Sequence, residues 1–311
     1  MPTVGGAMRP MSSTIAGSEP SRPALSVAAA VTGALPLARR MTELGRHGTL
    51  AAVTFTYEPG SEGSVDARLT PAKRREFEAD FCRHFALVQS WAEEERFAAA
   101  TPTELRVIVS NAFKISKSLV PAWYGSYGRM EFPAWRVVAR QAAIAHELAH
   151  VFSPNGNRLL AEGLAVHLQD QIGENPAFPN FGRPLHELSR ERLHDMVAEN
   201  GPPGWESLHA IRLAELDAIA TPSPLTLSIG QNFYGEEPRG QACIYPIAGS
   251  FVRFLIDTYG MEKFRKLYER TPLIPQTQAA GTPDRWPDIY GAALEALEAE
   301  WKSVILNTAP P

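Results

Sequence analysis

Two histidines, His146 and His150, stand four residues apart in the stretch HELAH, and Glu147 follows the first of them. Positions four apart on a helix lie on one face, about one turn apart, so both imidazoles can reach a single metal ion. Zinc takes imidazole nitrogen and carboxylate oxygen in a tetrahedral shell, and catalytic zinc sites keep one position for water. The spacing therefore predicts two zinc ligands, with Glu147 placed to act as a base on that water.

A third ligand is expected from the helix that follows. Residues 153–157 read as a turn, and the next helix carries Glu162, twelve residues beyond His150, with Gly163 beside it. A side chain in place of this glycine would obstruct close helix packing. Two imidazoles and one carboxylate leave one net positive charge on zinc, which keeps a bound water acidic. The predicted site is one Zn²⁺ ion held by His146, His150 and Glu162.

His167 lies on the same predicted helix as Glu162 and is a competing candidate. Five residues correspond to about 140° of rotation around a helix, so His167 is expected to point away from the metal. Ala165, Val166 and Gln169 share the side of Glu162 instead. The group that orients the first histidine is expected to come from another part of the chain or to be a backbone carbonyl.

The stretches HELAH and LAEGLAVHL resemble the gluzincin branch of zinc peptidases, in which a glutamate ligand, usually followed by Gly, lies on the helix after HExxH. The gap between the second histidine and the glutamate is shorter here than in the best-known members. The resemblance implies an α+β, zincin-like fold: a small twisted mixed sheet packed on the HExxH helix, followed by a mostly helical carboxyl-terminal subdomain. The substrate cleft is then expected between these two halves.

Two further stretches resemble relatives of aminopeptidase N. The sequence YPIAGSFVRFLIDTYGMEKF, from Tyr245 to Phe264, resembles a helix that begins with their catalytic tyrosine. The resemblance implies that Tyr245 hydrogen-bonds the oxyanion of the reaction; the alternative is a core or rim tyrosine at a helix start. GRMEF, at 128–132, is a weaker match, and Glu131 is interpreted as an ordinary edge-strand residue. The exposed edge of this strand is expected to pair with an extended peptide.

The function predicted from these motifs is zinc-dependent hydrolysis of peptide bonds in a peptide or protein substrate, with water activated by zinc and Glu147. Three alternatives are consistent with the same residues. Two histidines and one carboxylate also form the facial triad of iron oxygenases. The chain could instead be an inactive peptidase-like binding module, or the two helices could be a purely structural hairpin.

The chain around the motifs has ordinary globular composition, with 311 residues of which 44% are hydrophobic and 21% charged. This length suffices for one large domain or two small ones. The formal net charge of -4 gives no basic surface, so no nucleic-acid partner is expected. Cys82 and Cys243 lack the spacing of a cysteine zinc site and are interpreted as separate thiols, with a single disulfide as the alternative.

Three segments are predicted along the chain. Residues 1–45, rich in Pro, Ser, Gly and Ala, form a disordered or targeting segment. Its charge-free run at 23–38 is signal-like but too short to span a bilayer, so no stable membrane span is expected, and a cytoplasmic location is favoured over secretion. Residues 46–152 form an α/β subdomain with the metal-binding helix, and 153–311 form a mostly helical subdomain with the third ligand.

The elements that must position the site follow from the periodicity of apolar residues. Strands are predicted in LAAVTFTYEPG, TELRVIVSN and AWYGSYGRMEFP. A helix capped by Thr70, with Pro71 in its first turn, carries a stripe of aromatic residues. The other predicted elements are a helix over 134–152 that contains HELAH, a helix over 159–171, loops with short helical pieces over 172–240, a helical stretch over 245–270 broken at Gly260, and a last helix over 287–306.

Overall fold

The structure is a computed structural model, and it describes residues 52–97, 104–119, 127–174, 176–197, 213–217, 238–271 and 281–307. The segment predicted over 1–45 lies outside these ranges. The backbone of Cys243 is described but its side chain is not, and Cys82 is a free thiol. The described residues fall in one compact unit, which spans residues 41–311. The boundary at 152 between two subdomains stays a prediction.

A small mixed sheet forms in the described part of the chain. Its strands are β1 (Ala52–Glu58), β2 (Glu104–Ser110), β3 (Lys117–Leu119) and β4 (Tyr127–Pro133). Their spatial order is β1-β2-β4-β3; β1, β2 and β4 are parallel, and β3 runs antiparallel to β4. With helices over most of the remaining described residues, the chain is α+β, as predicted.

The edge of the sheet differs from the prediction. The sequence predicts an exposed edge at β4, but β3 pairs with β4, Ser118 opposite Met130, and occupies the edge itself. Glu131 on β4 is consequently only 5% exposed, and it forms ion pairs with Arg129 at 2.7 Å and Lys117 at 3.2 Å. The interpretation of Glu131 as an ordinary edge-strand residue is wrong, because the three residues of β3 are too few to show a strand period.

Helices make up most of the rest of the described chain. They are α1 (Pro71–Glu94), α2 (Ala134–Val138), α3 (Ile144–Phe152), α4 (Arg158–Gln171), α5 (Leu185–Val197), α6 (Leu213–Asp217), α7 (Pro238–Tyr259), α8 (Met261–Glu269), α9 (Arg285–Tyr290) and α10 (Leu294–Asn307). None of these helices combines the length and the apolar character that crossing a bilayer requires.

Helix α1 covers one face of the sheet. Thr70 caps its first turn and Pro71 occupies the first position, as predicted. Phe77 packs edge-on against Phe55 of β1 and Phe132 of β4, with ring centroids 6.2 and 5.5 Å apart. Burying one such ring stabilises the fold by roughly 1.5–3 kcal/mol. Phe85 of α1 continues this aromatic layer to Phe152 of α3, with ring centroids 5.1 Å apart.

The helix predicted over 134–152 is two helices, α2 and α3. Arg140 follows α2 with a left-handed φ of 57°. Its N–H donates to Val137 O, and the next N–H donates to Arg136 O, the pair of bonds that defines a Schellman cap. The guanidinium of Arg140 reaches Glu76 of α1 at 3.1 Å. Since glycine or asparagine usually holds this position, an arginine there does not signal a helix end.

In the carboxyl-terminal helices, one predicted boundary is confirmed and two others differ from the prediction. Gly260, with φ 87°, separates α7 from α8, which confirms the predicted break. Helix α7 begins at Pro238, so Tyr245 lies inside the helix and not at its start. The helix predicted over 287–306 is divided into α9 and α10, because Gly291 adopts the left-handed conformation with φ 76°.

Helices α4 and α7 cross closely, and both need glycine at the contact. A Cβ at Gly163 would lie 2.4 Å from Val252 Cγ2 and 2.8 Å from Ala248 O, and a Cβ at Gly249 would lie 2.4 Å from Val166 Cγ1. The predicted packing role of Gly163 is confirmed. This crossing sets the distance between the helix that carries the candidate carboxylate ligand and the helix that carries the candidate tyrosine.

Gly163→Ala is expected to lower the free energy of unfolding by about 1–2 kcal/mol. Overpacking costs about 1–3 kcal/mol, and the better helix propensity of alanine offsets up to about 1 kcal/mol of it. Denaturant unfolding followed by circular dichroism measures the change. Adding Val252→Ala should recover only part of the loss, since the backbone oxygen of Ala248 also opposes the new methyl group. A variant as stable as the native chain would contradict the close crossing.

Candidate metal centre

Helix α3 supplies two imidazoles on one face. His146 and His150 have their Nε2 atoms 3.3 Å apart, and their rings are nearly perpendicular, with centroids 5.0 Å apart. The remaining residues of α3 are all buried. The helix is therefore held tightly by its surroundings, and its two histidines converge on one point, as the spacing of four predicts.

Helix α4 brings Glu162 to the same point. Its Oε2 lies 3.2 Å from His146 Nε2 and 3.5 Å from His150 Nε2. One ligand atom from each residue lies within 4.8 Å of the others. Oε2 is buried and accepts no well-aligned hydrogen bond from the described residues. Because a buried carboxylate oxygen is costly without a partner, this buried triad could hold a metal ion.

The turn between α3 and α4 is held by groups from distant parts of the chain. Asn157 caps α4 by accepting a hydrogen bond from Leu160 N at 2.9 Å, and its Nδ2 donates to Asp217 Oδ1 at 2.8 Å. Asn155 Nδ2 donates to Tyr268 O at 2.9 Å. These bonds tie the turn to α6 and α8, so the relative position of the two ligand helices depends on the carboxyl-terminal half.

Arg158 connects the ligand carboxylate to the candidate tyrosine. Its Nη1 lies 2.9 Å from Glu162 Oε1, and its Nη2 donates to Tyr245 Oη at 2.8 Å. Because Oε1 faces the guanidinium, Oε2 faces the two histidines. A guanidinium has donors only, so Tyr245 accepts this bond and its own hydroxyl hydrogen can serve another acceptor.

Tyr245 lies beside the triad. Its ring stacks on that of His146, with centroids 5.8 Å apart and an interplanar angle of 18°. Only 7% of the residue is exposed, and it lines a cleft of about 290 Å³ that opens onto the triad. The structure therefore brings this sequence-predicted residue to the site, although from within a helix.

The charges at the centre shift two pKa values in opposite directions. Burial raises the pKa of Glu162, but the guanidinium of Arg158 and the imidazole of His150 outweigh burial and hold that pKa well below its ordinary value. Burial lowers the pKa of His150, but the carboxylate of Glu162 outweighs it and raises that pKa above its ordinary value. Glu162 is thus ionised at neutral pH, as a metal ligand must be, and a metal ion would compete with protonation of His150.

Glu147 is held in the same cleft by the edge strand. Ser118 Oγ of β3 lies 2.8 Å from Glu147 Oε2 and 2.8 Å from the backbone oxygen of the same residue. A hydroxyl has one hydrogen, so Ser118 donates to one of these oxygens at a time. Glu147 is 4% exposed and lines the cleft together with the three candidate ligands.

His167 takes no part in the cluster. It is buried, and burial together with the nearby positive charge of Arg253 lowers its pKa to about 4. Gln169 lies on the opposite side of the helix, where its Oε1 accepts a hydrogen bond from His146 N at 3.2 Å. Helix geometry therefore placed both residues correctly. None of the described residues hydrogen-bonds His146 Nδ1, so the group that orients this ring is not among them.

Several cleft residues that take part in its contacts have no counterpart in the sequence predictions. They are Ser118, Arg136, Arg158 and Phe178. Arg158 had a signal, because it stands four residues before the ligand glutamate on one helix, the spacing of a helical ion pair. The other three lie on a short strand, a short helix and a loop, where no motif singles them out.

Arg158→Met is expected to weaken metal binding about 10- to 100-fold, the usual effect of removing a group that holds a metal ligand in place. Competition with a chromophoric chelator measures the metal dissociation constant. Arg158→Lys is the matched control: it keeps the charge but not the two-pronged guanidinium, and should recover part of the affinity. An unchanged dissociation constant for Arg158→Met would show that Glu162 keeps its place without this contact.

Comparison of the chain with protein-family models, with curated proteins and with solved structures finds no match. Its function is therefore inferred from the centre itself, which combines two imidazoles, two carboxylates and a tyrosine in one cleft.

Proposed function

We propose that this chain is a zinc-dependent peptidase of the gluzincin type, with a zincin-like arrangement of sheet, HExxH helix and glutamate helix. The observation that carries the proposal is the convergence of His146, His150 and Glu162 on one point, in a cleft that also holds Glu147. Three ligands and one unliganded carboxylate beside them are the components of zinc-assisted hydrolysis.

The spacing of the ligand atoms supports zinc as the metal. Bonds of about 2.0–2.1 Å in a tetrahedral shell separate neighbouring ligand atoms by about 3.3–3.4 Å. The three separations at this centre are 3.2, 3.3 and 3.5 Å. Nitrogen and carboxylate ligands without cysteine also suit zinc in a hydrolytic role.

Glu147 is the proposed general base. Zinc, when bound, acidifies water and polarises the carbonyl of the bond to be cleaved. Glu147 removes a proton from the attacking water and delivers it to the amine nitrogen as the carbon–nitrogen bond breaks. The hydrogen bond from Ser118 fixes the carboxylate in the cleft while leaving its second oxygen for the water.

Tyr245 is the proposed donor to the oxyanion. Arg158 supplies the hydrogen bond that the phenol oxygen accepts, which turns the hydroxyl hydrogen toward a different partner. A preorganised donor of this kind contributes about 2.7–4 kcal/mol to the stabilisation of a transition state. This role agrees with the resemblance of the segment after Tyr245 to aminopeptidase N relatives.

Strand β3 is the proposed docking edge for the peptide backbone. The sequence places that edge at β4, but β4 lies inside the sheet and β3 lines the cleft through Lys117 and Ser118. An extended substrate can add to this edge as a further strand, beside the base that Ser118 holds.

The test is a purification of the full chain without added metal, followed by elemental analysis and digestion of a mixed peptide library. About one zinc per chain and cleavage that stops with a chelator and returns with zinc are expected. Stoichiometric iron with oxygen consumption would favour an oxygenase, which needs the facial triad but no base beside it. A zinc-loaded chain that cleaves no peptide would overturn the proposal.

A further inference from the structure

Three cationic side chains line the cleft, and only one of them has no carboxylate partner among the described residues. Lys117 pairs with Glu131 at 3.2 Å, and Arg158 pairs with Glu162 at 2.9 Å. The guanidinium of Arg136 forms neither an ion pair nor a hydrogen bond within the described part of the chain. Its nearest aromatic neighbour in the cleft is Phe178, whose ring centroid lies 5.3 Å from the guanidinium carbon.

The position of Arg136 is costly for a charged group. Burial lowers its pKa, and the nearby carboxylate of Glu147 only partly counters this. An arginine stays protonated in proteins, so its charge is partly removed from water while no carboxylate of the described residues pairs with it. A ligand that brings its own anion into the cleft relieves this cost.

Arg136 also lies close to the reaction centre. Its guanidinium contacts Phe178, the ring of Phe178 lies 5.7 Å from that of Tyr245, and Tyr245 in turn stacks on His146 at 5.8 Å. These side chains form one wall of the cleft. Two aromatic rings separate the guanidinium from a candidate ligand along these contacts, a path that an extended peptide, at about 3.3–3.6 Å per residue, covers with at most about five residues.

We propose that Arg136 binds a carboxylate of the substrate, so that the enzyme selects peptides with a carboxylate within a few residues of the cleaved bond. This inference rests on the proposed peptidase function. A guanidinium matches a carboxylate through two parallel hydrogen bonds, and no carboxylate of the described residues lies within ion-pair distance of Arg136. A terminal carboxylate and an acidic side chain offer the same chemistry, and the substrates below distinguish them.

The first test compares cleavage of matched peptides. Each library peptide that is cleaved is made with a free terminal carboxylate, with a terminal amide, and with Asp or Asn at the residues after the cleaved bond. Loss of the selected carboxylate should lower kcat/KM about 10- to 100-fold, mainly through KM, because a charge-assisted hydrogen-bond pair is lost. The form that is sensitive, terminal or side-chain, identifies the source of the carboxylate.

Arg136→Met should abolish this discrimination, so that acid and amide forms of one peptide are cleaved with the same kcat/KM. Arg75→Met is the control, since it removes an exposed arginine of α1 that does not line the cleft. Two results would overturn the proposal: discrimination that survives Arg136→Met, or an equal loss of kcat for charged and uncharged peptides. The second result would place Arg136 at the developing oxyanion. Thermal unfolding of the variant checks that it is folded.

The second test measures binding without turnover. Fluorescence polarisation follows labelled acid and amide peptides bound to zinc-loaded Glu147→Gln, with and without Arg136→Met. Carboxylate-dependent binding in a protein whose native form cleaves nothing would sink the peptidase function and keep the role of Arg136. Equal cleavage of acid and amide peptides would support the peptidase function and refute the role of Arg136. Absence of both binding and cleavage would refute both.

Discussion

Glu147→Gln is expected to abolish measurable peptide hydrolysis and to leave the metal content unchanged. The amide has nearly the same shape and can still accept the hydrogen bond from Ser118, but it cannot take a proton from water. Losing a general base costs about 10²–10⁴-fold in kcat. Turnover of a cleaved library peptide, together with elemental analysis of the same preparation, measures both quantities.

Ser118→Ala is the matched control for this variant. It removes the group that holds the carboxylate while keeping the carboxylate itself, so a much smaller loss of kcat is expected. Native turnover in Glu147→Gln would remove this residue from the mechanism. Loss of metal in Glu147→Gln would show that it supports the centre and is not a base alone.

His146→Ala is expected to lose stoichiometric metal, and with it all metal-dependent stabilisation. Two ligands remain, and a site reduced from three protein ligands to two binds zinc far more weakly. A ligand that binds only the folded chain raises the unfolding temperature, so adding a chelator should lower that temperature in the native protein and leave His146→Ala unaffected. Differential scanning calorimetry with and without chelator makes the comparison.

His167→Gln provides the matched control, because it also removes a buried histidine on the neighbouring helix, one outside the metal cluster. It should keep one metal per chain and its response to chelator. Tight stoichiometric metal binding by His146→Ala would mean that the ion is held elsewhere. That result would contradict the assignment of all three ligands.

The candidate ligands could be predicted because the geometry that joins them is local. His146 and His150 share one helix, and Glu162 follows after a single turn, so helix periodicity alone orients them. Ser118 and Arg136 reach the cleft through strand pairing and a helix end, which depend on residues far apart in sequence. No single-sequence pattern carries that information.

The errors in the predicted elements have physical reasons of the same kind. The end of α2 depends on Arg140 adopting a left-handed conformation near Glu76 of another helix, a tertiary contact with no local signal. The interior position of β4 depends on pairing with β3, which is only three residues long. Gly291 is a residue type that often ends a helix, but the amphipathic pattern on both sides of it predicted a single helix. In the structure, α9 ends at this glycine.

The three candidate ligands all come from residues 146–162, two consecutive helices joined by one turn. The chain-entropy cost of closing a loop grows only with the logarithm of its length, so gathering these ligands is cheaper by about 1–2 kcal/mol than bringing in a residue as distant as Tyr245. We therefore expect the unfolded chain to chelate metal weakly, which reduces the net stabilisation that metal gives the native state. During folding, the metal centre can assemble as an early local unit. The substrate cleft forms later, because it requires the long-range contacts of α7 and β3.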